Sequence, residues 1–153
     1  MKTLHELKVA EVELTYKSKI KPSERPKVIN SDQVNEILQA AFDQDKIEHV
    51  EMFYLLLLNR DNKVLGVKKV SEGGTASTIV DPKIIFQTAL KANASAIILS
   101  HNHPSGNPRP SDADKAITKQ LSEGGKILNI SVLDHLIVLP ENKYYSFSDN
   151  QLM

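Results

Sequence analysis

The sequence predicts an α+β domain, a mixed β-sheet with helices packed on its faces. Two runs of strand length, Met52 to Leu58 and Ala96 to Leu99, are apolar on both faces, as interior strands are. Between and around them lie segments of helical apolar spacing that open on cap signals, Ser31-Asp32 and Asp81-Pro82. The turn-forming Asn59-Arg60-Asp61-Asn62 follows the first run directly and marks a hairpin.

The chain has 153 residues, which suits one domain and buries roughly 68–70% of the surface an unfolded chain of this size exposes. Residues 1–30 are expected to form an N-terminal strand and loop belonging to that domain, and residues 31–153 its body. Nineteen basic and nineteen acidic residues cancel, so no global field draws the protein to nucleic acid or an anionic membrane. Cysteine is absent, which excludes disulfides, thiolate metal sites and a cysteine nucleophile. With no signal peptide and no apolar run of spanning length, a soluble cytoplasmic protein is expected, without membrane partners.

In chain order, Leu7 to Tyr16 alternates as LKVAEVELTY and predicts a strand bordering the sheet. Lys17 to Lys27, with five basic residues and two prolines, is a solvated loop. Ser31-Asp32 caps a helix to about Phe42, whose face of Val34, Ile37, Leu38 and Ala41 covers the sheet. A central strand runs from Glu48 to Leu58, with His49 as a surface residue, and the hairpin leads to a second strand from Lys63 to Val70. Gly73-Gly74 makes the next turn, Thr78-Ile79-Val80 a short strand, and Asp81-Pro82 opens a helix to about Lys91. The strand Ser95 to Ser100 is followed by a helix from Ser111 to about Glu123, with Ala113, Ile117 and Leu121 inward and Gly124-Gly125 at its end. Ile127 to Val138 supplies one or two strands broken near Leu133-Asp134-His135, Tyr144 to Phe147 an edge strand, and the tail from Ser148 frays.

The stretch Ser100 to Asp114, SHNHPSGNPRPSDAD, carries the chemistry. His101 and His103 are two apart, so in a continued strand both imidazoles project to one side, a chelating geometry. With Asp114 they form a nitrogen and oxygen donor set suited to zinc, and three protein ligands leave a fourth position open, the mark of a catalytic site. The plain alternatives are exposed histidines at a strand end, and Ser111-x-x-Asp114 as a helix cap with its capping-box partner. Cap and ligand are compatible roles for the same residues. The three prolines and the glycine of HPSGNPRP make a rigid connection that a simple turn does not need. His135 lies among apolar residues and reads as a hydrogen-bonded core histidine rather than a fourth ligand, and Asp134 as a residue that orients a neighbour. Upstream, Glu48 and Glu51 are both candidates for a carboxylate that handles protons, and residue patterns alone do not choose between them.

His101-x-His103, seven residues, Ser111, two residues and Asp114 resemble the JAMM motif of the JAB/MPN metallohydrolases, and HNHPSGNPRPSDAD with Leu133-Asp134-His135 is similar to the RadC branch of that family. The resemblance covers about Glu48 to Phe147. It implies one zinc ion held by His101, His103 and Asp114, with Ser111 steadying the bound water or the oxyanion. The family's upstream glutamate precedes an aromatic and an aliphatic run, and Glu51-x-Phe53-x-Leu55 matches, so the resemblance implies Glu51 as general acid and base. It implies hydrolysis of an amide, peptide or isopeptide bond, and a peptide or protein as partner. Two other zinc chemistries are excluded, since a nucleobase deaminase needs a Pro-Cys-x-x-Cys pair and a zincin needs His-Glu-x-x-His. The competing reading is a non-catalytic RadC-type module acting in DNA repair or on a mobile element. Full-length members of the branch carry a helical N-terminal region of a type associated with DNA binding, whereas about fifty residues precede Glu51 here. No residue pattern names the substrate or fixes the oligomeric state.

Overall fold

Alternation along the interior strands divides the apolar residues between two cores, one on each face of a single sheet. The computed structural model describes residues 1–73 and 79–153. Its elements are α1 (Ser31–Ala41), β1 (Met52–Leu58), β2 (Val64–Glu72), α2 (Pro82–Lys91), β3 (Ala96–Asn102), α3 (Asp112–Ile127), β4 (Ser131–Val138) and β5 (Tyr144–Ser146). The strands form a five-stranded sheet in the order β2-β1-β3-β4-β5, parallel only between β3 and β4 and antiparallel elsewhere. This is the mixed sheet the sequence predicts, with β1 and β3 buried along their whole length.

On one face Met52, Tyr54, Leu56, Leu58, Ala96 and Ile98 pack against Val34 and Leu38 of α1. On the other, Phe53, Leu55, Leu57, Ile97 and Leu99 pack against Ile85 and Ala89 of α2 and Leu121 of α3. A bulge interrupts the pairing of β3 with β4. Ile97 faces Val132 but Ile98 faces Asp134, which leaves Leu133 without a partner. One extra residue reverses the alternation beyond it, so Asp134 turns to the α1 side and His135 to the α2 and α3 side.

Several sequence expectations are corrected. Residues 9–18 form no strand, and Val12 and Leu14 are exposed. Alternation is a local signal, whereas a strand also needs a neighbour for its backbone. Beside the start of β2 that place is taken by residues 26–28, through the Lys27–Lys63 bridge and the Val28 and Val64 N–H bonds to Asn62 and Pro26 carbonyls. The cap of α1 is Asn30, one residue earlier than expected, its side chain accepting from Gln33 N–H. β1 begins at Met52, and Glu48 to Val50 belong to a turn in which His49 is exposed, as expected. Ile79 and Val80 lie outside any strand, while Gly74 and Thr78 fall outside the described residues.

Gly124 and Gly125 lie inside α3 rather than beyond it. A Cβ on Gly125 would stand 2.2 Å from the Ile130 carbonyl oxygen, so the glycine permits the chain to double back onto the helix into β4. Ala113 is exposed, whereas Ile117 packs half-buried against the core as expected, and Thr118 and Leu121 are buried. The last residues do not fray, because Ser148 N–H donates to Asp134 and Leu152 N–H to the Phe147 carbonyl.

Candidate metal centre

β3 carries Ile97, Leu99 and His101 on the face beneath α2 and α3, and His103 lies just past the strand end. Phe53 pairs directly with His101, and Glu51, two residues earlier, immediately precedes β1. From above, α3 brings down a stripe at helical spacing, with Asp114 half-buried and Thr118, Leu121 and Gly125 buried. The polar end of that stripe meets the histidines and the apolar end meets the core.

Three donor side chains converge there. His101 Nε2 and His103 Nε2 are 2.9 Å apart. Asp114 Oδ1 lies 3.3 Å from the first and Asp114 Oδ2 3.3 Å from the second. A tetrahedral zinc ion with bonds of about 2.0–2.1 Å separates its ligands by about 3.3 Å, so the spacing fits such an ion. Each imidazole is also engaged at its far nitrogen, His103 Nδ1 with the Asn107 carbonyl at 2.7 Å and His101 Nδ1 with His135 Nε2 at 2.7 Å. Glu51, His101 and His103 each bring a donor atom within 4.8 Å of the others, so Glu51 reaches the same cluster.

Asp114 is held by its helix. Ser111 Oγ accepts from Asp114 N–H at 3.0 Å, and Asp114 Oδ2 accepts from Ser111 N–H at 2.8 Å, the two halves of a capping box. The cap and the cluster therefore use one carboxylate, and helix formation orients it. The Ser111 hydroxyl keeps its own proton for donation. Glu51, His101, His103, Ser111 and Asp114 line one cleft of about 500 Å³, with apolar walls at Phe53, Val80 and Ile117.

Two buried polar residues essential to this arrangement were not singled out from the sequence. Asn102 accepts from Met52 N–H at 2.7 Å and donates to the carbonyls of Ile47 and Val50 at 2.8 Å each, clamping the segment that presents Glu51. Thr118 sits one helical turn after Asp114 and contacts His135. The available signals were a polar side chain between two histidines in an otherwise apolar strand, and the i+4 position from a candidate ligand. Asp134 does orient neighbours, accepting from His135 N–H, Ser148 N–H and the Ser146 hydroxyl.

Burial alone would push the Asp114 carboxyl up, but the His101 and His103 contacts and the Ser111 N–H outweigh it and hold the group well below the usual carboxylate range. Burial likewise lowers His103, yet Asp114, the Asn107 carbonyl and the Glu51 charge leave it raised above 6.5. In the metal-free protein the raised histidine stabilises the fold most fully below its unfolded pKa and ceases to do so as pH rises through the folded value. The depressed carboxylate contributes above its unfolded pKa of about 3.9 and is lost on acidification below it. A metal ion held by these groups would compete with the His103 proton, so any zinc affinity is expected to fall as pH drops through the range where that raised histidine takes up its proton. Zinc release measured against pH with a chromophoric chelator checks this, and a flat profile between pH 8 and 6 would contradict it.

Among the described residues no helix is long and apolar enough to cross a membrane. A family model described as the RadC-like JAB domain matches residues 28–152. Similar curated proteins include a UPF0758 protein of Flavobacterium johnsoniae, 50% identical over 99 residues that make up 65% of this chain and 43% of the relative. Another, from Desulfitobacterium hafniense, is 41% identical over 132 residues, covering 86% of this chain and 56% of the relative. A third, from Symbiobacterium thermophilum, is 44% identical over 104 residues, 68% of this chain and 44% of the relative. The chain thus spans about half the length of the curated relatives it matches. With the HxH strand end, the capped aspartate and a matched span of 28–152, this chain belongs to the RadC-like JAB domain family.

Proposed function

We propose that the domain is a zinc-dependent hydrolase that cleaves an amide bond of a peptide or protein, with His101, His103 and Asp114 as the metal ligands. The observation that carries the reading is the mutual approach of their donor atoms to 2.9–3.3 Å in a cleft that also holds Glu51. Zinc bound there would supply Lewis acidity, polarising a carbonyl and bringing the pKa of water to about 7. Glu51 accepts a proton from the attacking water and delivers it to the leaving nitrogen. The Ser111 hydroxyl donates to the oxygen that gains negative charge as the carbonyl is attacked. The walls of Phe53, Val80 and Ile117 hold apolar substrate surface and limit water at the reacting centre.

Elemental analysis of the purified protein tests the metal assignment. Near-stoichiometric zinc is expected in the parent and its loss in His103→Ala and Asp114→Ala, with circular dichroism showing that both variants remain folded. A parent that takes up no zinc after incubation with the ion would end the hydrolase reading and return Ser111 and Asp114 to a helix cap alone. Salt-dependent DNA binding would then test a RadC-type module, since phosphate contacts weaken steeply with added salt.

A further inference from the structure

His103 is oriented by a backbone carbonyl and Asp114 by its helix cap, but His101 is oriented by a side chain outside the HxH and Ser-x-x-Asp pattern. His101 Nδ1 and His135 Nε2 are 2.7 Å apart, and His135 Nδ1 lies 2.6 Å from Thr118 Oγ1. The same Thr118 hydroxyl lies 2.6 Å from the Asp114 carbonyl oxygen. These contacts fix the direction of every bond. A carbonyl oxygen only accepts, so Thr118 spends its single proton on Asp114 and must accept from His135. His135 therefore carries its proton on Nδ1, leaving Nε2 bare to accept from His101 Nδ1–H. His101 is left with its Nε2 lone pair directed at His103 and Asp114.

We propose that His135, oriented by Thr118, is a positioning residue that sets the tautomer and ring plane of His101 so that a bare Nε2 faces the metal cluster. The inference rests on the metal reading above for its purpose and on the hydrogen bonds alone for its geometry. His135 is fully buried, stacked on Phe147 with ring centres 4.7 Å apart and met edge-on by Phe53 at 5.7 Å. The ring has no freedom to turn and exchange its nitrogens. Phe53 also lies parallel to His101, at 6.2 Å and 6°, so both imidazole planes are held by the same ring. The relay closes on Asp114, because Thr118 bonds the backbone of the residue whose carboxylate joins the cluster. Strand end and helix start are registered to each other through it.

Two measurements on the full chain test the proposal. In metal-free protein, 15N chemical shifts of the imidazoles should show His101 and His135 both protonated at Nδ1 and bare at Nε2. Thr118→Val keeps the shape of the side chain but removes the acceptor. His135 should then revert to Nε2–H, forcing His101 to accept at Nδ1 and to carry its own proton on Nε2, inside the cluster. Zinc affinity by chelator competition should fall 10–100-fold in Thr118→Val and in His135→Gln, the usual cost of removing a partner behind a ligand. Thr118→Ser, which retains the hydroxyl, should bind zinc like the parent. Nε2–H on either histidine of the parent would overturn the relay whether or not metal binds, as would parent-like zinc affinity in folded Thr118→Val. Relay tautomers in a parent that binds no zinc would sink the metal reading and leave the relay standing.

Discussion

Glu51→Gln is expected to abolish amide hydrolysis while leaving zinc bound. The substitution keeps the size and shape of the side chain but removes a base, and the ligands proposed for the ion are other residues. General acid–base catalysis contributes about 10²–10⁴-fold, so kcat should fall by that range with little change in KM. The pH profile gives a second readout, because the limb belonging to the glutamate should vanish with it. Glu51 also reaches the donor cluster. Retained metal with lost turnover would mark it as a proton carrier, whereas equal loss of metal would make it a ligand and displace Asp114 from the proposed set. Full activity against a working peptide or isopeptide substrate would remove the mechanism.

Asn102→Leu is expected to be among the most destabilising single changes in the domain. The side chain is fully buried and makes three hydrogen bonds to backbone groups of Ile47, Val50 and Met52. Leucine matches its volume approximately but leaves those groups without their partner. At about 1–3 kcal/mol for each buried group left unmet, with some relaxation toward water, the loss should be about 3–5 kcal/mol. Asn102→Asp separates the two halves of the clamp, since a carboxylate still accepts from Met52 N–H but faces two carbonyl oxygens that it repels. It should also destabilise strongly. Denaturant midpoints check both, and a change below about 1 kcal/mol in either would show that the clamp contributes little. Because Glu51 sits within the clamped segment, any folded Asn102 variant should lose turnover more than zinc.

The sheet, the helices on its faces and the placing of two histidines side by side were legible because each depends on periodicity. An apolar run long enough for a strand fixes which of its residues share a face, and His101 and His103 inherit that parity. Ser111 and Asp114 were legible as a helix cap with its capping-box partner, and that cap leaves the Asp114 carboxylate beside the two histidines. What escaped was whatever depends on a distant partner. Asn102 takes its meaning from residues some fifty positions away, and Thr118 from a histidine on another strand. The alternation at Leu7 to Tyr16 was real but had no neighbour for its backbone. Gly124-Gly125 looked like a helix terminator because nothing local reveals the close approach of the Ile130 carbonyl.

The unpaired Leu133 matters as a count rather than as a side chain. It is 41% exposed, so replacing it with another residue alters surface chemistry and little else. Pairing it into the ladder is a different kind of change. If Leu133 took the place opposite Ile98, every position of β4 beyond it would exchange faces, carrying His135 to the α1 core and Asp134 toward the histidines. Deleting it has the opposite result, since Val132 would stay opposite Ile97 and Asp134 opposite Ile98 in a regular ladder, with His135 still behind His101. The bulge is thus a point of slack in the strand, where a residue can be exchanged or lost without moving those that follow, provided that it is never counted into the pairing.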